Sequence, residues 1–86
     1  MRNHTKVYFD YFGYDESDII ICEICQKAVA VDIHHIEARG IGGSRNKDVI
    51  ENLMAVCRAC HCSYGDIKEW KDGLKKIHGL VMLNKN

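Results

Sequence analysis

The stretches that decide the reading of this chain are Cys22-Glu23-Ile24-Cys25 and Cys57-Arg58-Ala59-Cys60, with thirty-one residues between them. Two-residue spacing lets both thiolates of a pair reach one ion, and two such pairs complete a tetrahedron. Zn2+ prefers four sulfurs in that geometry and brings no redox chemistry of its own. The sequence therefore predicts a structural zinc on Cys22, Cys25, Cys57 and Cys60. A closed set of four thiolates leaves no position for a substrate, so this zinc is a staple and not the catalyst. Cys62, the fifth cysteine, is expected to be a free thiol.

A staple suits the length. Eighty-six residues make one small domain, and folds of this size bury a modest core that a metal often supplements. The composition, 47% hydrophobic and 28% charged, is that of a folded chain and not of a disordered one. Twelve basic side chains balance twelve acidic ones, so net charge does not announce a polyanion partner. A bound divalent ion would add positive charge that this count omits. No apolar run approaches the ~20 residues that span a bilayer; Ile19-Ile20-Ile21-Cys22 is far too short. The N-terminus lacks the basic-then-apolar order of a signal peptide. The expectation is a cytoplasmic protein without membrane contact, in which paired cysteines mean metal rather than disulfides.

Outward from the knuckles, residues 1–21 read as a helical flank, 22–62 as the core, and 63–86 as a C-terminal helix and tail. Tyr8, Tyr11 and Phe12 fit one face of a short helix ended by Gly13. Residues 28–36 are β-prone, with Val29, Val31 and Ile33 alternating until the pattern fails at His34-His35. Residues 38–48 read as a loop from their Gly, Ser and Asn content. A helix is expected from Ile50 to Ser63, closing a knuckle at Cys57. Asp66 is expected to N-cap a last helix with an apolar stripe of Ile67, Trp70, Leu74 and Ile77.

His34, His35 and His61 lie between or beside the knuckles. Imidazole serves as metal ligand or proton acceptor because its ordinary pKa of ~6.5 lies near neutrality. An isolated His-His pair is more often a packing or surface feature; what surrounds this one changes the odds. Val31-Asp32-Ile33-His34-His35-Ile36, Gly42-Gly43, Glu51-Asn52-Leu53 and Cys57-x2-Cys60-His61 together resemble the HNH endonucleases. The resemblance is to the small four-cysteine zinc type common in phages and mobile elements.

That resemblance implies an α+β architecture, a small zinc-stapled ββα-metal (His-Me finger) domain with flanking helices. It implies that His35 is the general base and His34, just before it, a metal ligand. Asn52 would be the middle residue that fixes the loop and the base, and His61 the final metal ligand. Position 65 is Gly, so a ligand four residues after His61 is absent, and Asp66 is the weaker candidate for a third. The implied cofactors are the structural Zn2+ and a catalytic divalent ion, Mg2+, Mn2+, Ni2+ or Zn2+. The implied chemistry is hydrolysis of DNA to 5′-phosphate and 3′-hydroxyl ends, alone or alongside phage or restriction machinery proteins. Arg39, Arg45, Lys47 and Arg58 flank the proposed site and together suit a phosphate track. The rival reading is a non-catalytic zinc-ribbon-like module that binds nucleic acid or protein, for which the two His positions and Asn52 would have no use.

Overall fold

A computed structural model describes residues 2–37 and 47–84. Most of the expected glycine-rich loop, with Arg39, Gly42, Gly43 and Arg45, lies outside the described residues.

The first helix, α1, runs Asn3–Phe12. Gly13 ends it in the left-handed conformation (φ 74°), its N–H donating to the carbonyl of Phe9. A residue with a Cβ would be strained there, which is why glycine stops the helix. The aromatic face expected for this segment is present. Tyr8 is buried, and its ring meets those of Phe12 and Tyr14 at 4.7 and 6.5 Å.

Strand β1 covers Asp32–His35 and strand β2 covers Leu53–Val56. They pair antiparallel in the register Asp32 with Val56, Ile33 with Ala55, His34 with Met54 and His35 with Leu53. Two sequence expectations change here. The first strand is shorter than residues 28–36, and Val29 and Val31 are exposed, at 51% and 60%. The fully buried positions are instead even-numbered, His34 and, beyond the strand, Ile36, while Ile33 on the other face packs partly buried beneath α1. Alternation therefore does not fail at the His pair; it continues straight through it.

The second change concerns residues 53–56, expected as helix. Leu-Met-Ala-Val is a strand buried on both faces. A doubly covered strand reads as a continuous apolar run, which periodicity cannot separate from a buried helix. Its two faces divide the core. Leu53 and Ala55 pack with Tyr8 and Ile20 beneath α1. Met54 and Val56 pack with Cys22, Ile36, Cys57, Cys60 and Leu74.

After Cys57, the short helix α2 (Arg58–Cys60) passes directly into a wider π-helical turn over His61–Gly65. A 3₁₀ turn over Lys68–Trp70 then leads into α3, Lys71–Leu83. Asp66 closes the π-turn instead of capping α3, whose N-cap position is Trp70 without a side-chain bond. The expected stripe is also displaced. Leu74 is buried and Ile77 is half-buried, but Ile67 and Trp70 are exposed. The other inward residue of α3 is His78, at 1% exposure.

His78 belongs to a buried polar network that pins both flanking helices to the first knuckle. Its Nδ1–H donates to Glu23 Oε1 (2.8 Å) and its Nε2–H to the carbonyl of Ile50 (2.6 Å). A carbonyl and a carboxylate both accept, so the ring carries both protons and is an imidazolium. Burial alone would push the His78 pKa down; the hydrogen bond and charge of Glu23 outweigh it, and the pKa lies above the ordinary value. Glu23 Oε2 accepts from the Tyr8 hydroxyl and from the backbone N–H of Ala55. Burial and the Glu23 charge keep the Tyr8 phenol protonated, its pKa raised well above normal.

The result is a small mixed helix-and-sheet fold with four clustered cysteines, consistent with a ββα-metal domain. Among the described residues no helix is long and apolar enough to cross a membrane.

Candidate functional site

The four thiols converge as the spacing requires. The sulfurs of Cys22, Cys25, Cys57 and Cys60 lie within 4.8 Å of one another, with Cys25 and Cys57 4.0 Å apart. At zinc–sulfur bonds of about 2.3 Å, tetrahedral geometry needs sulfurs a little under 4 Å apart. The surroundings fit a cation. The N–H groups of Ala28 and Lys27 face the Cys25 sulfur and lower its pKa to about 6. Burial, with the neighbouring thiols, pushes Cys60 up to about 12. Four thiolates so close cannot all ionise unless a divalent ion offsets their repulsion. Gln26 supplies the tight turn of the first knuckle with φ 57°. Cys62 is exposed and unbridged.

Beside this cluster, β1 presents His34 to the π-turn. The rings of His34 and His61 have centroids 4.6 Å apart. Ligand-capable atoms of His34, His61 and Asp66 all lie within 4.8 Å. Asp66 is five residues after His61, out of reach of the four-residue spacing of an α-helix. A π-turn, with its i to i+5 pattern, brings that position back to the same side. Gly65 makes this packing feasible: a Cβ there would lie 2.6 Å from His61 Cδ2 and 3.3 Å from His34 Cε1. The glycine that removes an i+4 ligand is thus the residue that admits both rings.

The protonation pattern suits metal binding. His34 Nε2–H donates to the Gly65 carbonyl at 2.7 Å, leaving Nδ1 unprotonated in the neutral ring. Burial, and then the adjacent His61, lower the His34 pKa, so the ring is neutral near pH 7. His61 Nδ1–H donates to Asp32 Oδ2 at 3.1 Å, leaving Nε2 available. A carboxylate behind an imidazole is the usual device for orienting a metal-ligating histidine. Asp32 was in the motif from the start, but only the pairing of β1 with the region after β2 shows what it holds. Arg58, largely exposed, lies 3.5 Å from the same carboxylate.

On the opposite face of β1, His35 packs toward α1. Its Nε2–H donates to Asp48 Oδ1 at 2.7 Å, and its ring lies 4.6 Å from that of His4. Asn52, buried in a 3₁₀ turn over Ile50–Asn52, acts on the backbone. Its Oδ1 accepts from the Glu37 N–H (2.8 Å), and its Nδ2 donates to the carbonyls of Glu37 (3.0 Å) and Lys47 (2.9 Å). It therefore ties Glu37 to Lys47, the residues on either side of 38–46, from a 3₁₀ turn, and its side-chain bonds among the described residues go to these two and not to His35, the expected base. Lys47 borders the site through that carbonyl, while Lys75 of α3 pairs with Glu37 at 3.3 Å.

The family model described as HNH endonuclease matches residues 22–66, more than half of the 86 residues. Neither the curated proteins nor the solved structures yield a match.

Proposed function

Since the chain belongs to the HNH endonuclease family, and so carries a nuclease-type domain, we propose that it hydrolyses DNA phosphodiester bonds with His35 as general base and one divalent ion on His34, His61 and Asp66. The observation that carries this reading is the convergence of His34, His61 and Asp66, whose ligand atoms lie within 4.8 Å of one another.

His35 accepts a proton from water through Nδ1, since Nε2 is engaged with Asp48. His34, His61 and Asp66 would hold the divalent ion, which when bound would offer Lewis-acid stabilisation of charge on the phosphate and on the departing 3′ oxygen. His34 stays neutral, as a ligand must. Asp32 holds the His61 ring in one orientation. Asn52 is a positioning residue that holds Glu37, just past the end of β1, to Lys47. Arg58 and Lys47, with Arg39 and Arg45, offer cations to the flanking phosphates. The products are 5′-phosphate and 3′-hydroxyl ends. Cys22, Cys25, Cys57 and Cys60 hold a zinc that supports the fold and takes no part in the chemistry.

Nicking of supercoiled plasmid with and without Mg2+, Mn2+ or Ni2+ tests the proposal. Cleavage that needs the added ion and falls about 10²- to 10⁴-fold in His35→Ala is expected. DNA binding with no cleavage under any ion would favour the zinc-ribbon-like binding module instead.

A further inference from the structure

Helix α1 lies outside the residues matched by the family, 22–66, yet its first turn reaches the proposed base. Asn3 Nδ2 donates to Asp48 Oδ2 at 3.1 Å. The other oxygen of the same carboxylate accepts from His35 Nε2 at 2.7 Å. The Asp48 side chain is only 3% exposed and that of His35 15%. His4, one residue along α1, lays its ring against that of His35. The chain Asn3–Asp48–His35 thus joins the N-terminal helix, the segment between Lys47 and the 3₁₀ turn at Ile50, and β1.

We propose that Asp48 is the positioning residue of His35, held by Asn3, so that α1 completes the base. This rests on the reading of His35 as the base. The physical argument concerns which nitrogen carries the proton. A carboxylate only accepts, so it selects the Nε2–H tautomer and leaves the Nδ1 lone pair for water. Asn3 engages the second oxygen, so the carboxylate cannot turn away from the ring. The His4 ring limits rotation of His35 from the other side. A buried carboxylate behind a base histidine works in this way in serine hydrolases, where exchange for the amide leaves the geometry intact and the wrong nitrogen protonated.

Ligand atoms of His4, His35 and Asp48 also fall within 4.8 Å of one another, which raises a divalent ion as an alternative occupant. The direct 2.7 Å contact between His35 and Asp48 favours a shared proton.

The test uses the full zinc-loaded chain. Long-range proton–nitrogen NMR should show His35 protonated at Nε2 and bare at Nδ1. In Asp48→Asn the side-chain amide should reverse that tautomer, and kcat for nicking should fall about 10²- to 10⁴-fold with KM little changed. Asn3 is exposed, so Asn3→Ala should fold normally; it should populate both tautomers and lower kcat several-fold. That variant decides the matter if Asp48→Asn does not fold. The proposal is overturned if the tautomer and kcat survive in the variants while His35→Ala is inactive. It is overturned too if a further metal equivalent binds and is lost in His4→Ala. Should His35→Ala nick at the full rate, the base reading itself falls, and this inference with it.

Discussion

The first knuckle and the end of β1 are both rich in polar and metal-binding groups, but they are built on opposite plans. Around residues 22–25 the donor set is complete, with Cys22 and Glu23 buried. The four sulfurs face one another, and Glu23, next in sequence to Cys22, accepts from Tyr8, His78 and the Ala55 backbone. Around His34 and His35 the arrangement is graded. His34 is buried, His61 partly exposed and Asp66 exposed. A closed donor set holds an ion and joins elements; a graded one leaves a side open for a phosphate. Under the proposed function, the difference gives stability to one region and chemistry to the other.

Four outcomes would break or sharpen that contrast. The largest concerns the thiols. Chelating metal from the four-thiol cluster, or Cys25→Ser, should abolish the fold, because binding of roughly 10–16 kcal/mol is folding energy in structural zinc sites. Circular dichroism after chelation checks this, and a native spectrum with no metal would contradict it.

Next comes the buried ion pair. Glu23→Gln leaves the His78 imidazolium without its counter-charge. A loss of about 3–5 kcal/mol in urea unfolding is expected, with zinc still bound at one equivalent. A loss below about 1 kcal/mol would mean that Glu23 does not link the helices to the knuckle.

A smaller effect belongs to the open site. Gly65→Ala places a methyl 2.6 Å from the His61 ring. The ring has to shift, so affinity for the second ion should drop on the order of 10- to 100-fold, with zinc content and fold retained. Isothermal titration with Mn2+ would reveal an unaltered affinity if the two rings do not share an ion.

The smallest is a pH effect. His78 faces Tyr8, Glu23 and Glu51, and its folded pKa is raised. Its contribution is therefore fully present below the unfolded value of ~6.5 and is lost as pH rises through the folded pKa. His34, with a lowered pKa, acts in the opposite direction, its share fading as pH falls below ~6.5. The stability gap between wild type and Glu23→Gln isolates the first of these. That gap should narrow on going from pH 6 upward; a constant gap would exclude the charged pair.

What the sequence by itself determined lies within short spacings. Two CxxC pairs bring four thiols together, Gly13 stops α1, and the order His34, His35, Asn52, Cys60-His61 carries the family pattern. The knuckles and the helix stop rest on turns a few residues long, where local geometry leaves few choices; the family pattern is an order of residue types from His34 to His61. Tertiary structure alone decided the rest. Residues 53–56 are a strand because both of their faces are covered, which no periodicity within four residues records. Asp66 reaches the histidines because the helix widens into a π-turn, and that widening accompanies packing of the His34 and His61 rings against Gly65. His78 pairs with Glu23 across fifty-five positions, and Asp48 with His35 across thirteen. Such partners are chosen by which elements stack, since a buried charge must find its counterpart wherever the fold brings one.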